Sequence, residues 1–195
     1  MTEFDLICQK LAHRLASADH LPIDAGEYEQ AAVTLVLRNR DGQADVLIIK
    51  RAERAEDPWS GHLALPGGRA EVGDQDLREV AVRETREEVG IDLQVGGRFL
   101  GVMEPLQPVT RRLPLIVVTP LVAVAPPNVL LKLDPREVED AFWLSITELQ
   151  REGRSASVSY VFAGQTHQWP AYPSPRGAIW GMTERILTRF LALLE

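Results

Sequence analysis

Hydrophobic and polar positions recur along this chain with two periods, one typical of helices and one typical of strands. Apolar residues spaced for a single helix face predict amphipathic helices over residues 4–16, 76–89 and 177–194. Short apolar runs bounded by turn-forming residues predict strands over residues 31–37, 44–49, 99–103, 115–124 and 141–144. A short helix is expected after Ser145, and a hairpin over residues 158–169 with its turn at Gly164-Gln165. This order predicts the α/β class, with a mixed sheet flanked by helices.

The chain has 195 residues, enough for a substantial core, and we expect a single domain over residues 1–195. Residues 1–30 would supply the first helix and a connector that mixes proline, glycine and charge. Residues 177–194 would form a C-terminal helix packed on the domain. Its packing positions are predicted to be Ile179, Ile186, Leu187, Phe190 and Leu191.

The composition narrows the classes of protein to consider. Hydrophobic residues make up 45% of the chain and charged residues 25%, as is usual for a globular protein. A net charge of −7 argues against a basic nucleic-acid-binding surface, although an enzyme of nucleotides is compatible because bound metal ions supply positive charge locally. The longest apolar stretch, residues 113–124, contains two prolines and is too short to span a bilayer. Because a secretory pattern is also missing, we expect a cytoplasmic protein with no membrane partner.

The helix predicted over residues 76–89 carries carboxylates on the face that should meet the core. Asp74 or Asp76 can cap its start, and Gly90 supplies the left-handed residue that often follows a last turn. At about 100° per residue, one stripe runs along the helix. It contains Leu77, Val80, Ala81, Glu84 and Glu88, whereas Glu79, Arg83 and Arg86 are predicted to point outward.

Three acids of this helix, Glu84, Glu87 and Glu88, repel one another near a helix C-terminus, where the dipole disfavours negative charge. Arg83 precedes Glu87 by one turn and can hold it, but one guanidinium does not neutralise three acids. Hard divalent cations such as Mg²⁺ or Mn²⁺ bind carboxylate and carbonyl oxygens, so the cluster predicts a metal site.

A glycine turn lies shortly before this helix. The strand-like residues 62–65 end in Pro66-Gly67-Gly68, where backbone without side chains can bend sharply and offer a carbonyl to a metal. The alternative is a solvated surface helix with many ion pairs. The glycine turn, the inward acids and the stop at Gly90 together favour the metal site.

These residues resemble the box of the Nudix hydrolases, G-x5-E-x7-R-E-U-x-E-E-x-G-U, where U is apolar. Residues 83–91 match its second half, with Thr85 at the first U. The first half departs from the pattern, since Gln75 stands where the first Glu is expected and Gly68 lies one residue too far upstream. Asp74 or Glu71 are candidates to replace that Glu. The resemblance implies the Nudix fold, an α/β/α sandwich.

Residues outside the box are similar to the coenzyme A pyrophosphatase branch of that family. They are the segments 47–51, 59–68 and 179–183. An Arg that precedes the loop glycine in the branch is missing here. Glu56, Asp57 and Pro58 fill that interval, and Arg54 is the nearest base.

The resemblance also implies roles for single residues. Glu84 and Glu88 would bind Mg²⁺ or Mn²⁺ directly, Glu87 would bind or share a metal, the Gly67 carbonyl would complete the site, and Arg83 would hold the carboxylates. The catalytic base would be a box acid, Glu87 or Glu88, or an acid from a later loop. Glu137 and Glu139 are candidates for that loop acid, although a solvated acidic turn explains them equally well.

Several residues are candidates for substrate binding: Arg51, Arg54, Trp59, His62 and Gly68. Each has a structural alternative. The two arginines can pair with neighbouring acids, Trp59 can cover the core edge, and His62 can bond to backbone. Trp180 and Met182 are expected in the core.

The resemblance therefore predicts metal-dependent hydrolysis of a diphosphate in a small nucleotide, most specifically coenzyme A or an acyl-CoA. That cleavage would give adenosine 3′,5′-bisphosphate and 4′-phosphopantetheine. Two alternatives stay open: a Nudix enzyme acting on ADP-ribose, a nucleoside triphosphate or another nucleotide, and a Nudix-like module that senses a nucleotide without cleaving it. A homodimer would agree with the family.

Overall fold

The structure is a computed structural model that describes residues 1–24, 26–54, 59–108, 115–162 and 165–195. Four helices and ten strands form within these residues. In chain order they are α1 (Glu3–Arg14), β1 (Glu29–Arg40), β2 (Gln43–Arg51), β3 (Leu63–Ala64), β4 (Gly67–Arg69), α2 (Leu77–Val89), β5 (Arg98–Val102), β6 (Ile116–Val124), β7 (Val138–Ser145), α3 (Ile146–Glu152), β8 (Ala156–Phe162), β9 (Gln165–Ser174), β10 (Gly177–Trp180) and α4 (Gly181–Ala192).

The described strands form two sheets. The larger has seven strands and the path β3-β2-β1-β6-β5, with β4 also paired to β1 and β7 to β2. Strand β1 runs antiparallel to β2 and parallel to β6, so the sheet is mixed, as predicted. The smaller sheet is antiparallel and has the order β10-β9-β8.

Both faces of the larger sheet are covered, because alternate residues of its central strands face opposite sides. On β1, Leu35 and Leu37 join a core that contains residues of α1 and α4. Val36 between them belongs to a second core with Val82 and Val89 of α2. The sheet therefore lies between helices on both sides, which confirms the α/β/α arrangement.

The predicted elements are present with shifted ends, and one was wrong in part. The first helix begins earlier than expected because Thr2 forms a capping box with Asp5. The last helix was predicted from residue 177, but Gly177–Trp180 is strand β10, which pairs with β9. Gly181, with φ of 70°, stands at the change from strand to helix. The predicted turn residue Gly164 lies outside the described residues.

Residues Gly67 and Gly68, predicted as a turn, form the short strand β4 against β1. Val33 pairs with Gly67 and Ala32 with Gly68. Gly67 has φ of 152°, and a Cβ atom there would overlap the Ala32 carbonyl oxygen and the Val33 backbone. Only a residue without a side chain allows β4 to lie this close to β1.

Among the helices that the structure describes, none is long and apolar enough to cross a membrane.

We expect Gly67→Ala to destabilise the fold by about 3 kcal/mol, since it combines backbone strain with overpacking against β1. Urea unfolding followed by circular dichroism measures this change. Gly26→Ala is the control, because an added Cβ there would meet only the Asp24 side chain at ordinary contact distance. Equal stability of the two variants would contradict the close approach of β4.

Candidate active site

Helix α2 places two acids on its buried side, as the sequence predicted. The Asp76 side chain caps the helix by accepting from Glu79 N, and Gly90 ends it with φ of 74°. Glu84 is 8% exposed and Glu88 is 3% exposed, although both carry carboxyl groups. The core stripe of α2 therefore continues into a pair of buried acids.

The two glycines of β4 lie directly against these acids. The Gly67 N–H donates to Glu88 Oε2 at 2.9 Å. A Cβ atom on Gly68 would overlap the Glu84 carboxylate. The bare backbone of β4 thus makes room for both carboxyl groups. That the Gly67 carbonyl binds a metal stays a prediction.

Arg83 was predicted to point outward, and this is wrong: its side chain is only 19% exposed. It turns toward the acids because carboxylates surround it. Its guanidinium donates to Glu84 at 2.8 Å and to Glu87 at 3.2 Å. It also contacts Asp74 with two hydrogen bonds, of 3.2 Å and 3.0 Å. These bonds hold the pKa of Asp74 below its usual value.

The chain departs from the Nudix box at Gln75, and the neighbouring Asp74 is the residue that contacts Arg83. Gln75, which occupies the box position of the first Glu, contributes its backbone N–H to Glu79. Glu71 is exposed and donates its own backbone N–H to Asp74. Of the two acids considered as replacements, Asp74 is the one that holds Arg83.

Thr85, which stands at an apolar position of the box, is fully buried. Its hydroxyl lies 3.4 Å from the hydroxyl of Thr34 on β1, which is also fully buried. Each hydroxyl thus has a hydrogen-bond partner, so this departure from the box is accommodated between α2 and β1.

Burial changes the acidity of both inward acids. Desolvation raises the pKa of Glu88 to about 8, against the opposing hydrogen bond from Gly67, and nearby Glu84 raises it further. Burial also raises the pKa of Glu84, opposed by Arg83. Charging these groups requires positive charge close by, and the chemistry of a divalent cation fits that need.

Glu137 joins the two helix acids from a distant part of the chain. Glu84, Glu88 and Glu137 each offer one carboxylate oxygen, and these three oxygens lie within 4.8 Å of one another. Oxygen donors at such spacing fit one hard divalent cation.

The other predicted acids lie elsewhere. Glu87 is half exposed and faces Arg83. Glu139 forms a 2.6 Å ion pair with Lys50. Their catalytic roles stay predictions.

One side of a cleft of about 1110 Å³ is lined by Glu84, Glu88 and Glu137. All five predicted substrate-binding residues line it too. They are Arg51, Trp59, His62 and Gly68, together with Arg54. The guanidinium of Arg54, however, points at the loop that carries Glu137 and donates to the Arg136 carbonyl at 2.6 Å. The interval 56–58, discussed above for its missing Arg, lies outside the described residues.

The side of the cleft formed by β8, β9 and β10 was missed from the sequence. Four rings, which we call the aromatic wall, line it: Tyr160, His167, Trp169 and Trp180. Trp180 and Met182 were predicted in the core; both line this cleft, and Met182 also packs against the core shared with α1 and α4. The His62 ring lies 4.8 Å from the Trp180 ring, and Tyr160 lies 5.5 Å from it on β8. Tyr160, His167 and Trp169 within the predicted hairpin were the available signal.

Comparisons with known proteins agree with this architecture. A family model described as NUDIX domain matches residues 28–163. An uncharacterized Nudix hydrolase, NudL, of Citrobacter koseri is 34% identical over 167 residues, which are 84% of this chain and 81% of that protein. An uncharacterized protein of Schizosaccharomyces pombe is 37% identical over 107 residues, 53% of this chain and 32% of that protein, so the matched part is about a third of its length. The crystal structure of a MutT/nudix family protein from Enterococcus faecalis covers 96% of this chain and 72% of its own at 18% identity, with a TM-score of 0.53, and shows the same fold.

We expect Asp74→Asn to destabilise the protein by about 2 kcal/mol, because it removes the charge from a partly buried hydrogen-bonded pair with Arg83. Gln75 stands where the Nudix box has its first Glu, and Gln75→Ala should change stability by less than about 0.5 kcal/mol. Chemical unfolding of both variants measures this. A larger loss of stability in Gln75→Ala than in Asp74→Asn would contradict the role of the contact between Asp74 and Arg83.

The raised pKa of Glu88 predicts a pH dependence of the metal-free protein. The folded state binds a proton at Glu88 that the unfolded state releases above its ordinary pKa of 4.5, so stability is full below pH 4.5 and falls as the pH rises to about 8. The largest possible loss of stability is about 5 kcal/mol, since one pKa unit corresponds to about 1.4 kcal/mol.

Glu88→Gln is the matched control, because it keeps an acceptor for Gly67 and removes the titration. In EDTA, its stability should fall less between pH 5 and pH 8 than that of the parent, as measured by urea unfolding at each pH. Parallel curves for parent and variant would contradict the raised pKa.

Proposed function

This chain belongs to the Nudix hydrolase family, and from that premise we propose that it hydrolyses the diphosphate of coenzyme A or an acyl-CoA. The products would be adenosine 3′,5′-bisphosphate and 4′-phosphopantetheine, with Mg²⁺ or Mn²⁺ as cofactor. The observation that carries the proposal is the meeting of Glu84, Glu88 and Glu137 in a cleft that also has an apolar side.

The three carboxylates are the groups of this chain that would hold a divalent cation, with Gly67 and Glu87 as the further donors implied by the family. Bound divalent ions neutralise the charge of a diphosphate and make water a better nucleophile at neutral pH. The buried acids fit such an ion because, without positive charge, burial keeps the pKa of Glu88 near 8.

The surrounding residues would hold the carboxylates and the substrate. Arg83 contacts Asp74, Glu84 and Glu87 together, which fixes the exposed side of the acidic group. Arg51 lines the cleft, and its charge lowers the pKa of Glu88. We propose that Arg51 meets a phosphate oxygen, a use suited to the guanidinium group.

The base would be a carboxylate of this cluster. Glu137 and Glu88 are the candidates whose carboxylates lie together in the cleft. Either could accept a proton from the attacking water, since both carboxylates lie at the site proposed for the cation.

The apolar side of the cleft supports a substrate with a large group attached to the diphosphate. The aromatic wall, Met182 and Ile186 line this side, and Arg185 lies among them. Rings and apolar side chains can hold a nucleobase or a pantetheine arm by stacking and burial. A triphosphate alone would leave much of this surface uncovered, so the wall favours a two-part nucleotide.

The decisive experiment incubates the protein with Mn²⁺ and each of several substrates, and then identifies the products by mass spectrometry. The panel contains coenzyme A, acetyl-CoA, ADP-ribose, a dinucleoside tetraphosphate and ATP. We expect coenzyme A or acetyl-CoA to have the largest kcat/KM. Rapid cleavage of another member with coenzyme A inert would transfer the proposal to that member.

Glu88→Gln is the control for the chemistry. Removing one buried charge from the cluster should lower kcat/KM by about 100-fold or more, with the folded state intact by circular dichroism. If no substrate is cleaved but one binds tightly by calorimetry, the chain is a nucleotide-sensing module.

A further inference from the structure

Arg54 lies beside the cluster of Glu84, Glu88 and Glu137, outside helix α2, which supplies two of these acids. Its guanidinium donates twice to the Arg136 carbonyl, at 3.2 Å and 2.6 Å. Its Nη2 also lies 3.7 Å from Glu137 Oε1, as an ion pair. The described contacts of the Arg54 guanidinium are therefore with the loop that bears Glu137.

The backbone of that loop is fixed to the end of α2. Lys132 N donates to the Val89 carbonyl at 2.9 Å, and Asp134 N donates to the Glu88 carbonyl at 3.1 Å. On the other side, Ala52 N donates to the Glu137 carbonyl at 2.8 Å. The Glu137 backbone is thus tied to the helix that supplies Glu84 and Glu88, and to the end of β2.

The Glu137 side chain is less constrained than its backbone. It is 44% exposed, and it approaches two other carboxylates whose charge repels it. Rotation into solvent would relieve the repulsion and restore the rotamer freedom of a glutamate. The positive charge of Arg54, 3.7 Å from Glu137 Oε1, opposes this rotation.

We propose that Arg54 is a positioning residue that holds the Glu137 carboxylate in the cluster and thereby raises the affinity for the divalent cation. The inference rests on the proposed function, since it takes the cluster to be a metal site. It replaces the sequence-based prediction that Arg54 binds a substrate phosphate.

Mn²⁺ binding without substrate tests this role, measured by calorimetry or by the electron paramagnetic resonance signal of free Mn²⁺. We expect Arg54→Gln to weaken Mn²⁺ binding by about three- to ten-fold, the range suited to a partly exposed ion pair with added hydrogen bonds. Arg54→Lys keeps the charge and should recover part of the loss.

The matched control is Arg69→Gln. Arg69 also lines the cleft and is as exposed as Arg54, at 51%, but its side chain pairs with Glu29, which is not an acid of the cluster. Its replacement should leave Mn²⁺ affinity unchanged within about two-fold, the scatter expected for a surface substitution.

A double-mutant cycle with Glu137→Gln separates positioning from other roles. If Arg54 acts through Glu137, the double variant binds Mn²⁺ no more weakly than Glu137→Gln alone. Additive losses would overturn the proposal. It would also be overturned if Arg54→Gln raised KM while Mn²⁺ affinity stayed the same, since Arg54 would then bind phosphate.

The outcomes distinguish this proposal from the proposed function. A parent protein that binds no Mn²⁺ overturns both. A parent that binds Mn²⁺ and cleaves a substrate, with an additive cycle, overturns only the role of Arg54. Unfolding midpoints of all variants show whether a loss of binding reflects a loss of fold.

Discussion

The site depends on how closely helix α2 can approach the backbone of β4. Two buried carboxyl groups lie in that contact, one accepting from the Gly67 N–H and the other lying against Gly68 where any side chain would overlap it. Buried acids are costly unless they are hydrogen-bonded or neutralised. The glycines therefore do more than turn the chain, since their missing side chains leave the space in which Glu84 and Glu88 can gather.

The acidic group is stabilised by partners on different segments. Arg83 connects Asp74 with Glu84 and Glu87 at the exposed end, whereas Glu88 is held from β4 at the buried end. The loop with Glu137 is bonded to the last carbonyls of α2, which would otherwise lack partners at a helix end. The same hydrogen bonds that complete the helix thus bring a third carboxylate to the cluster.

Local patterns were sufficient to predict much of this arrangement. Helix α2, its caps and the inward direction of Glu84 and Glu88 follow from spacing within one element, and the mixed sheet follows from the order of elements. Contacts between distant segments do not follow in that way. The approach of Glu137, the turn of Arg83 toward Asp74, and the place of Trp180 in the cleft depend on tertiary packing. Strand β10 was missed because its apolar residues continue the helical spacing of α4. In the structure these residues instead form backbone hydrogen bonds with β9.

Most of the aromatic wall comes from a later stretch of the chain than the acids. The acidic side lies within residues 28–163, the stretch matched by the family model, whereas Trp169, Trp180 and Met182 follow that stretch. Substitutions in the later stretch can reshape what fits beside the diphosphate while the carboxylates keep their surroundings. Substrate preference can therefore change through the residues that follow position 163, while the residues that carry the carboxylates stay the same.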